Sequence, residues 1–241
     1  MRRAVCITNV AHEGPGLLGD LLADAGFSLS QVEAWKGERW PTDVGAADLV
    51  IVMGGPMGVA DIGRPGFEWL GDVTELLRRR LAADHPCIGV CLGMQLMAHA
   101  AGAKVAPMRD AEGAPVREVG WASLELVGAS SILAGLPRPM DVLHWHGDAC
   151  ALPEGAELLA STPACTVQMF SVGRSVGMQF HPEVDGATAC IWASEDAAFV
   201  RAANGPDGVQ TLQTASPAAA ARTSASRRRL LSNVLRHVLR P

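Results

Sequence analysis

The sequence lacks several features that would assign it to other classes of protein. No segment approaches the roughly 20 apolar residues that a membrane-spanning helix needs, and the apolar run after Met1 is too short for a signal peptide. Charges of both signs are scattered through the chain, so no broad basic surface for nucleic acid or anionic lipid is predicted. These absences predict a cytoplasmic protein with neither a nucleic-acid nor a membrane partner.

Length and composition are typical of a globular protein with a sizeable apolar core. The chain has 241 residues, 49% of them hydrophobic, and a formal net charge of −5, which fits one large or two small domains. No Cys-x-x-Cys pair occurs among the cysteines, so we expect free thiols, all but one of them serving in packing. The cysteines are Cys6, Cys87, Cys91, Cys150, Cys165 and Cys190.

The first hundred or so residues alternate between apolar, β-branched runs and segments with apolar residues at helical spacing. This alternation predicts a mostly parallel sheet with helices on both faces. After Gly102 the pattern changes to short alternating segments, typical of added antiparallel strands, with a hairpin turn at residues 173–175. Strands are predicted at residues 4–10, 28–34, 47–53, 87–90, 121–127, 140–145, 157–161, 167–172 and 176–180, and helices at 14–25, 68–83, 94–101 and 185–201.

The end of the chain is predicted to be partly irregular. Residues 204–226, rich in Ala, Ser, Thr and Gly with little apolar periodicity, indicate a mobile loop. Residues 227–241 show a helical pattern whose apolar stripe needs a partner surface, which we expect to be the sheet. The three arginines at 227–229 are interpreted as a solvated helix face. We expect residues 1–241 to form a single domain.

A cysteine stands between two glycines at Gly89-Val90-Cys91-Leu92-Gly93. In a nucleophile elbow, the residue at the apex of a strand-to-helix turn has a strained backbone and an exposed side chain, and only small flanking residues fit. Cys91 would then lie at a helix N-terminus, where free N–H groups and the helix dipole favour the thiolate. Taken alone, the pattern fits equally a buried core cysteine between two packing glycines.

A base and its orienting acceptor follow a later predicted strand, in Gln179-Phe180-His181-Pro182-Glu183. A cysteine nucleophile needs a base to take its proton and return it to the leaving group. Because residues two apart on an extended segment project to the same side, Glu183 can reach the ring of His181 and fix its tautomer. By itself such a segment is more typical of a surface turn. The presence of Cys91 in the same chain favours the interpretation as a catalytic base and its acceptor.

Glycines dominate the segment after the third predicted strand, Met53-Gly54-Gly55-Pro56-Met57-Gly58. Ligands bind at the carboxyl edge of a parallel sheet, and glycines let backbone N–H groups approach them closely. The N–H groups of Gly55 and Leu92 could stabilise an oxyanion formed by attack of Cys91, an effect of roughly 3–4 kcal/mol for each donor. A turn without a ligand is the equally simple interpretation.

Two histidines occur two residues apart in His144-Trp145-His146-Gly147-Asp148. They could share a face and bind a metal ion with His181, but no carboxylate or thiolate ligand stands at a typical spacing. We therefore predict no metal and no cofactor, and interpret the segment as a polar strand end that shapes a substrate pocket. Asp148 could equally be a turn residue.

Together these motifs resemble those of the class I glutamine amidotransferases, and within them the free-standing proteins similar to the glutaminase domain of GMP synthase. GGPMG at residues 54–58, GVCLGMQ at 89–95, HGD at 146–148 and QFHPE at 179–183 occur in the family's order. The resemblance covers roughly residues 3–185. It implies a flavodoxin-like α/β fold, with a central mostly parallel sheet flanked by helices and with added antiparallel strands.

The resemblance also implies a chemistry. Cys91 would attack the side-chain amide of glutamine, ammonia would leave with a proton from His181, and water would hydrolyse the glutamyl thioester. Glu183 would orient His181. The residues implied for the oxyanion hole are Gly55 and Leu92, and those implied for substrate binding are Gly54, Gln95, Trp145 and His146.

Two departures from that family leave the substrate open. The sequence has no phosphate-binding Gly-Lys-Ser/Thr loop of an ATP-dependent synthetase, so we do not expect it to make GMP. Trp145 precedes HGD where GMP synthases have a smaller residue, which would alter the rim of the pocket. The alternatives are hydrolysis of a γ-glutamyl peptide or another γ-glutamyl amide, a glutaminase subunit active only with a separate ammonia-accepting synthetase, and a metal-dependent hydrolase.

Overall fold

The computed structural model describes residues 2–46 and 48–240, which form helices packed on both faces of a large sheet. The strands are β1 Arg2–Thr8, β2 Phe27–Glu33, β3 Leu49–Val52, β4 Cys87–Val90, β5 Val105–Pro107, β6 Glu118–Leu126, β7 Met140–His146, β8 Asp148–Cys150, β9 Glu157–Ser161, β10 Met169–Val172 and β11 Ser175–Met178. The α-helices are α1 Gly16–Asp24, α2 Glu68–Ala82, α3 Leu92–Ala100, α4 Gly186–Glu195, α5 Ala197–Asn204 and α6 Gly208–Val238.

The strand order of the central sheet is β2-β1-β3-β4-β11-β10-β9-β6-β7, and β5 pairs with β8 in a separate small sheet. The first five strands in this order are parallel. Both β3 and β4 are buried throughout, as expected of parallel strands covered on both faces. Helices α1 and α6 pack against one face, whereas α2 and α3 pack against the other.

The remaining strands of the central sheet pair in the antiparallel sense, from β11 through β10, β9 and β6 to β7. A turn at Gly173 and Arg174 joins β10 to β11, and Gly173 has φ +51°, a conformation that suits glycine. The predicted fold class, a mostly parallel central sheet flanked by helices with added antiparallel strands, is therefore confirmed.

This topology brings the predicted motifs to one edge of the sheet. Strands β1, β3, β4 and β11 are parallel neighbours, so their carboxyl ends lie side by side. The segments that follow these four strands begin at residues 9, 53, 91 and 179. The segments that begin at residues 53, 91 and 179 contain motifs singled out in the sequence. The segment that begins at residue 9 contains an acidic residue, Glu13, that the sequence motifs did not include.

Several element boundaries differ from the prediction. The predicted strand at 47–53 is observed over Leu49–Val52, and its first residue, Ala47, lies outside the described residues. The single helix predicted at 185–201 is two helices, α4 and α5, which meet at Asp196. The other predicted strands and helices were placed correctly to within a few residues, whereas β5 and β8 were not predicted.

The prediction of a loop at residues 204–226 is wrong, because α6 runs through most of this segment. Its alanines favour helix, and its weak apolar periodicity reflects burial of small residues such as Ala219 and Ala220 against a neighbouring helix. The contact with α4 is close: a Cβ on Gly186 would lie 2.8 Å from the Cα of Pro217. Although α6 has 31 residues, no helix in the described part of the chain is apolar enough over its length to cross a membrane.

The interpretation of residues 227–229 as a solvated face is wrong for the first of them. Arg227 is only 4% exposed and points inward from α6, whereas Arg228 and Arg229 are exposed. The apolar stripe farther along the same helix, from Leu230 to Val238, packs on the sheet as expected. Arg227 lies on the inner face of the helix because it precedes the buried Leu230 and Leu231 by three and four residues, about one helical turn.

Candidate active site

Cys91 forms the apex of a tight turn between β4 and α3. Its backbone has φ 51° and ψ −110°, a strained conformation for a residue with a side chain. A Cβ on Gly89 would lie 2.6 Å from the backbone of Gly93, and a Cβ on Gly93 would lie 2.0 Å from the carbonyl oxygen of Val52. Glycine is therefore required on both sides of the cysteine, which has the geometry of a nucleophile elbow.

His181 and Glu183 form a buried hydrogen-bonded pair just after β11. The Nδ1 of His181 lies 2.8 Å from Oε1 of Glu183, and the histidine side chain is 1% exposed. The backbone N–H of His181 donates to the carbonyl of Leu143 at 2.8 Å, which fixes the segment against β7. The ring of Trp192 packs edge-to-face against the imidazole at 4.7 Å. These contacts hold the imidazole in one orientation, with Nε2 as its remaining nitrogen.

The electrostatic environment of His181 favours its protonated form. Burial lowers the pKa of this histidine, but the charge of Glu183, the nearby thiol of Cys91 and the hydrogen bond with Glu183 raise it, and the net pKa lies well above the usual 6.5. A protonated imidazole beside the thiol of Cys91 can stabilise a thiolate and later protonate a leaving group.

The other cysteines have the environment of packing residues. All six are free, as predicted. Burial raises the pKa of Cys6, Cys150 and Cys165 to about 12, so these thiols stay protonated. Cys91 differs from them in its position at a helix N-terminus and in lining the same cavity as His181.

Two glutamines and a carbonyl surround the sulfur of Cys91. The Nε2 of Gln179 donates to Sγ at 3.5 Å, and the thiol donates to the carbonyl of Trp145 at 3.7 Å. Gln95 in turn donates from Nε2 to Oε1 of Gln179 at 3.2 Å. Gln179 belongs to the QFHPE motif, but sequence reasoning had not connected its side chain with the thiol.

A cavity of about 260 Å³ lies above the thiol. Of the predicted site residues, those that line it are Cys91, His181, Gly55, Gln95, Trp145 and His146. Gly54, Leu92 and Glu183 lie behind this first layer. A Cβ on Gly55 would lie 3.4 Å from Cδ2 of Leu92, so the two residues predicted to supply oxyanion donors are neighbours. As the first residue of α3, Leu92 has an N–H without a partner inside the helix.

Glu13 is a cavity residue that sequence reasoning missed. It follows β1 and is 7% exposed, and its carboxyl group lines the cavity. A Cβ on Gly54 would lie 2.1 Å from Oε2 of Glu13 and 3.1 Å from Cε1 of His181, so the carboxyl and the imidazole are close together. Burial raises the pKa of Glu13 to about 7, with the charge of His181 opposing this rise and those of Glu183 and Asp196 adding to it. The available signal was an acidic residue five positions after the end of a buried strand.

Arg227 holds the turn that carries the histidine and the glutamate. Its Nη1 donates to the carbonyls of Pro182 at 3.0 Å and Val184 at 2.6 Å. These carbonyls flank Glu183, so the last helix of the chain fixes the backbone of the turn. The sequence offered no local signal for this contact, since the arginine and the turn are far apart along the chain.

A second polar cluster lies next to the cavity. Three of its side chains are close enough together to be arranged as metal ligands are. Possible ligand atoms of Glu118, His144 and His146 lie within 4.8 Å of one another. The carboxylate was missing from the sequence-based hypothesis because it comes from β6, where Glu118 pairs directly with His146. In the structure Glu118 Oε2 lies 3.1 Å from Nε2 of His146 and accepts from Gln168 at 2.6 Å. These contacts form a hydrogen-bonded support behind the cavity wall.

Both the sequence and the structure are similar to those of known proteins. The family model for "Glutamine amidotransferase class-I" matches residues 23–189. A GMP synthase (glutamine-hydrolyzing) from Syntrophomonas wolfei is 39% identical over 154 residues, which are 63% of this chain and 29% of that protein. The chain thus spans less than a third of the length of this relative.

Two other similar proteins match along most of their length. The putative glutamine amidotransferase-like protein YfeJ of Salmonella typhimurium is 28% identical over 183 residues, which are 73% of this chain and 74% of that protein. The crystal structure of a glutamine amidotransferase from Thermotoga maritima is similar with a TM-score of 0.80 at 25% identity, covering 100% of this chain and 99% of that one. The similarity of structure extends to the segment beyond residue 185, where the motifs end.

Proposed function

The chain belongs to the class I glutamine amidotransferases, and from this we propose that it hydrolyses the γ-glutamyl amide of glutamine through Cys91, His181 and Glu183. One observation carries the proposal. A cysteine in a strained elbow and a histidine line the same cavity, and Nδ1 of the histidine is hydrogen-bonded to a carboxylate. This is the arrangement of an activated nucleophile, its base and the group that orients the base.

In the proposed reaction, Sγ of Cys91 attacks the γ-carbonyl carbon and the carbonyl oxygen becomes an oxyanion. The N–H groups of Gly55 and Leu92 stabilise this oxyanion. The C–N bond then breaks as His181 gives its proton to the leaving nitrogen, which departs as ammonia. Water next attacks the thioester, with His181 taking one of its protons, and releases glutamate and the free thiolate.

The wall opposite His181 suits the amino-acid end of the substrate. His146 contacts the carbonyl of Asp148 through Nδ1 at 3.1 Å, and Nε2 of Gln95 lies 3.5 Å from the same oxygen. Asp148 also lines the cavity, so that its carboxylate is available for an α-ammonium group. The predicted contacts of Gln95, Trp145 and His146 with the substrate are part of this proposal. Gly54 would contribute by lacking a Cβ, which leaves space for the carboxyl group of Glu13.

The proposal is tested by glutamate release from glutamine with the purified chain. We expect turnover that Cys91→Ala lowers by at least about 10³-fold, while Cys190→Ala, which removes a partly exposed thiol remote from the cavity, leaves it unchanged. A glutamine-analogue electrophile should label Cys91, as mapped by mass spectrometry. Full turnover by Cys91→Ala, or labelling at another cysteine, would contradict the proposal.

The same assay distinguishes a partner-dependent enzyme. Labelling of Cys91 without steady-state turnover would mean that the site binds the substrate but needs an ammonia-accepting synthetase to become active. Turnover of the isolated chain would show that no such partner is required for hydrolysis.

A further inference from the structure

Glu13 is an acidic group at the site for which the proposed hydrolysis has no use. Its carboxyl group faces the cavity, and within residues 2–46 and 48–240 no side chain or backbone group forms a hydrogen bond or ion pair with it. Its oxygens are not among the fully buried polar atoms that lack a partner, so water or a ligand in the cavity can reach them. A ligand that brings a positive charge to this position would supply the missing partner.

The position of Glu13 is on the leaving-group side of the thiol. Its Oε2 and Cε1 of His181 both lie over Gly54. Since Nδ1 of His181 is bound to Glu183, Nε2 is the nitrogen that protonates the leaving amine, and Cε1 is directly bonded to it. A group attached to the leaving nitrogen can therefore lie near Glu13.

Asp196 places a second carboxylate in the same wall. It lies between α4 and α5, lines the cavity, and accepts a hydrogen bond from Nε1 of Trp145 at 3.0 Å, which fixes its orientation. Its charge is felt by Glu13. Phe199, one turn into α5, adds an aromatic ring to the wall. Arg117 contacts that ring at 5.7 Å from its centroid but is not among the lining residues.

The carboxylate of Asp148 lies beside Gly58, and the backbone carbonyl of the same residue accepts a hydrogen bond from Gln95. In the proposed function the carboxylate is accounted for by the α-ammonium of a γ-glutamyl group. The carboxyl groups of Glu13 and Asp196 have no such role in the proposed hydrolysis. No lysine or arginine among the described residues lines the cavity. The leaving-group end is therefore acidic, with aromatic rings beside it.

We propose that the preferred substrates are γ-glutamyl amides whose leaving amine carries a second, cationic group, which Glu13 and Asp196 bind. This inference rests on the proposed function, because it concerns the leaving group of the same hydrolysis. The products are glutamate and the free diamine, formed by the thioester route described above. Ammonia, the leaving group of glutamine, does not reach both carboxylates, and a leaving amine with its own carboxylate is repelled by them.

Three matched substrates test the inference. They are the γ-glutamyl amides of 1,4-diaminobutane, pentylamine and 4-aminobutyrate, which place an ammonium, a methyl or a carboxylate at the far end of similar chains. We expect kcat/KM to fall in that order, with the cationic amide about 10- to 100-fold above the neutral one, as for a charge-assisted hydrogen bond. Glutamate release is measured for each, together with glutamine.

Two isosteric variants locate the effect. Glu13→Gln and Asp196→Asn remove charge while keeping shape, and Asn can still accept from Trp145. Each should reduce the preference for the cationic over the neutral amide, taken as the ratio of the two kcat/KM values, by about 10-fold. Glu154→Gln, a change of an exposed carboxylate that is not among the cavity-lining residues, is the control and should keep the full preference. Circular dichroism checks that each variant is folded.

Binding to Cys91→Ala, measured by calorimetry, separates this inference from the proposed function. Tighter binding of the cationic amide than of the neutral one supports the inference even if no substrate is hydrolysed. Equal kcat/KM and equal affinity for the two amides, with glutamine still hydrolysed, overturn the inference and leave the proposed function standing. A cationic preference that survives in both Glu13→Gln and Asp196→Asn also overturns it. If nothing is hydrolysed or bound, both fail.

Discussion

Replacing Arg227 with methionine is the sharpest test of how the fold supports the site. The arginine is 4% exposed, and its guanidinium donates to the carbonyls of Pro182 and Val184 in the catalytic turn and, at 2.9 Å, to Ala220 in its own helix. It also lies over the ring of Trp121, 5.4 Å from the centroid. Methionine preserves much of the packing of the side-chain stem but none of the hydrogen bonds.

The expected loss follows from the two hydrogen bonds that join α6 to the turn. A hydrogen bond from a charged donor contributes roughly 1.5–3 kcal/mol, and its loss leaves a buried carbonyl without a partner. We expect Arg227→Met to lower the free energy of unfolding by about 3 kcal/mol. For a chain of 241 residues this corresponds to a fall in Tm of about 6–12 °C.

The same change should lower the catalytic rate. Pro182 stands between His181 and Glu183, so a looser turn shifts the imidazole relative to Cys91. A displacement of about 1 Å at a reacting group can cost about 10²-fold in rate. We therefore expect kcat for glutamine to fall by roughly 10- to 100-fold with a smaller change in KM.

Urea unfolding and steady-state kinetics measure the two effects, with Arg228→Met as the control. Arg228 is the next residue in the same helix, but its side chain is 50% exposed and lies 3.7 Å from Asp24, so its loss should change stability by no more than about 0.5 kcal/mol. Equal stability of the two variants would refute the interpretation of Arg227. A destabilised Arg227→Met with unchanged kcat would show that the arginine supports the fold without positioning the histidine.

Three further predictions concern other parts of the site. Gly93→Ala places a Cβ 2.0 Å from the carbonyl oxygen of Val52 and should lower the free energy of unfolding by about 3 kcal/mol or more. The control Gly71→Ala, in open space within α2, should raise the free energy of unfolding by about 0.5–1 kcal/mol. Similar denaturation midpoints for the two variants would contradict this prediction. Burial raises the pKa of Glu13 from 4.5 to about 7, so the folded state disfavours ionisation and stability is lost as pH rises through that interval. Glu13→Gln should therefore stabilise the protein by about 3 kcal/mol more at pH 8 than at pH 4 in urea unfolding. An equal effect at the two pH values would contradict a raised pKa of Glu13. Glu183→Gln keeps the shape of the pair but not its charge, and should lower kcat by roughly 10²–10⁴-fold at nearly constant KM; an unchanged kcat would remove this residue from the mechanism.

Local sequence determined the strands and the chemical groups at their ends. The runs in β3 and β4 are apolar because parallel strands are buried on both faces, and glycine is required at 89 and 93 because the backbone of the elbow is crowded. Such constraints act over a few residues, so a pattern of residues reveals them. The motif order was therefore enough to predict the fold class and the family, both of which are confirmed.

Only the tertiary structure decided which groups surround those motifs. Glu13 reaches His181 because β1, β3, β4 and β11 are neighbours in the sheet, an order that the sequence does not state. Residues 204–226 were mistaken for a loop because small side chains that pack helix against helix have no apolar periodicity, and the same error hid the inward-facing Arg227. Contacts between elements distant along the chain depend on how the surfaces of those elements pack together. Short patterns of residues do not predict that packing.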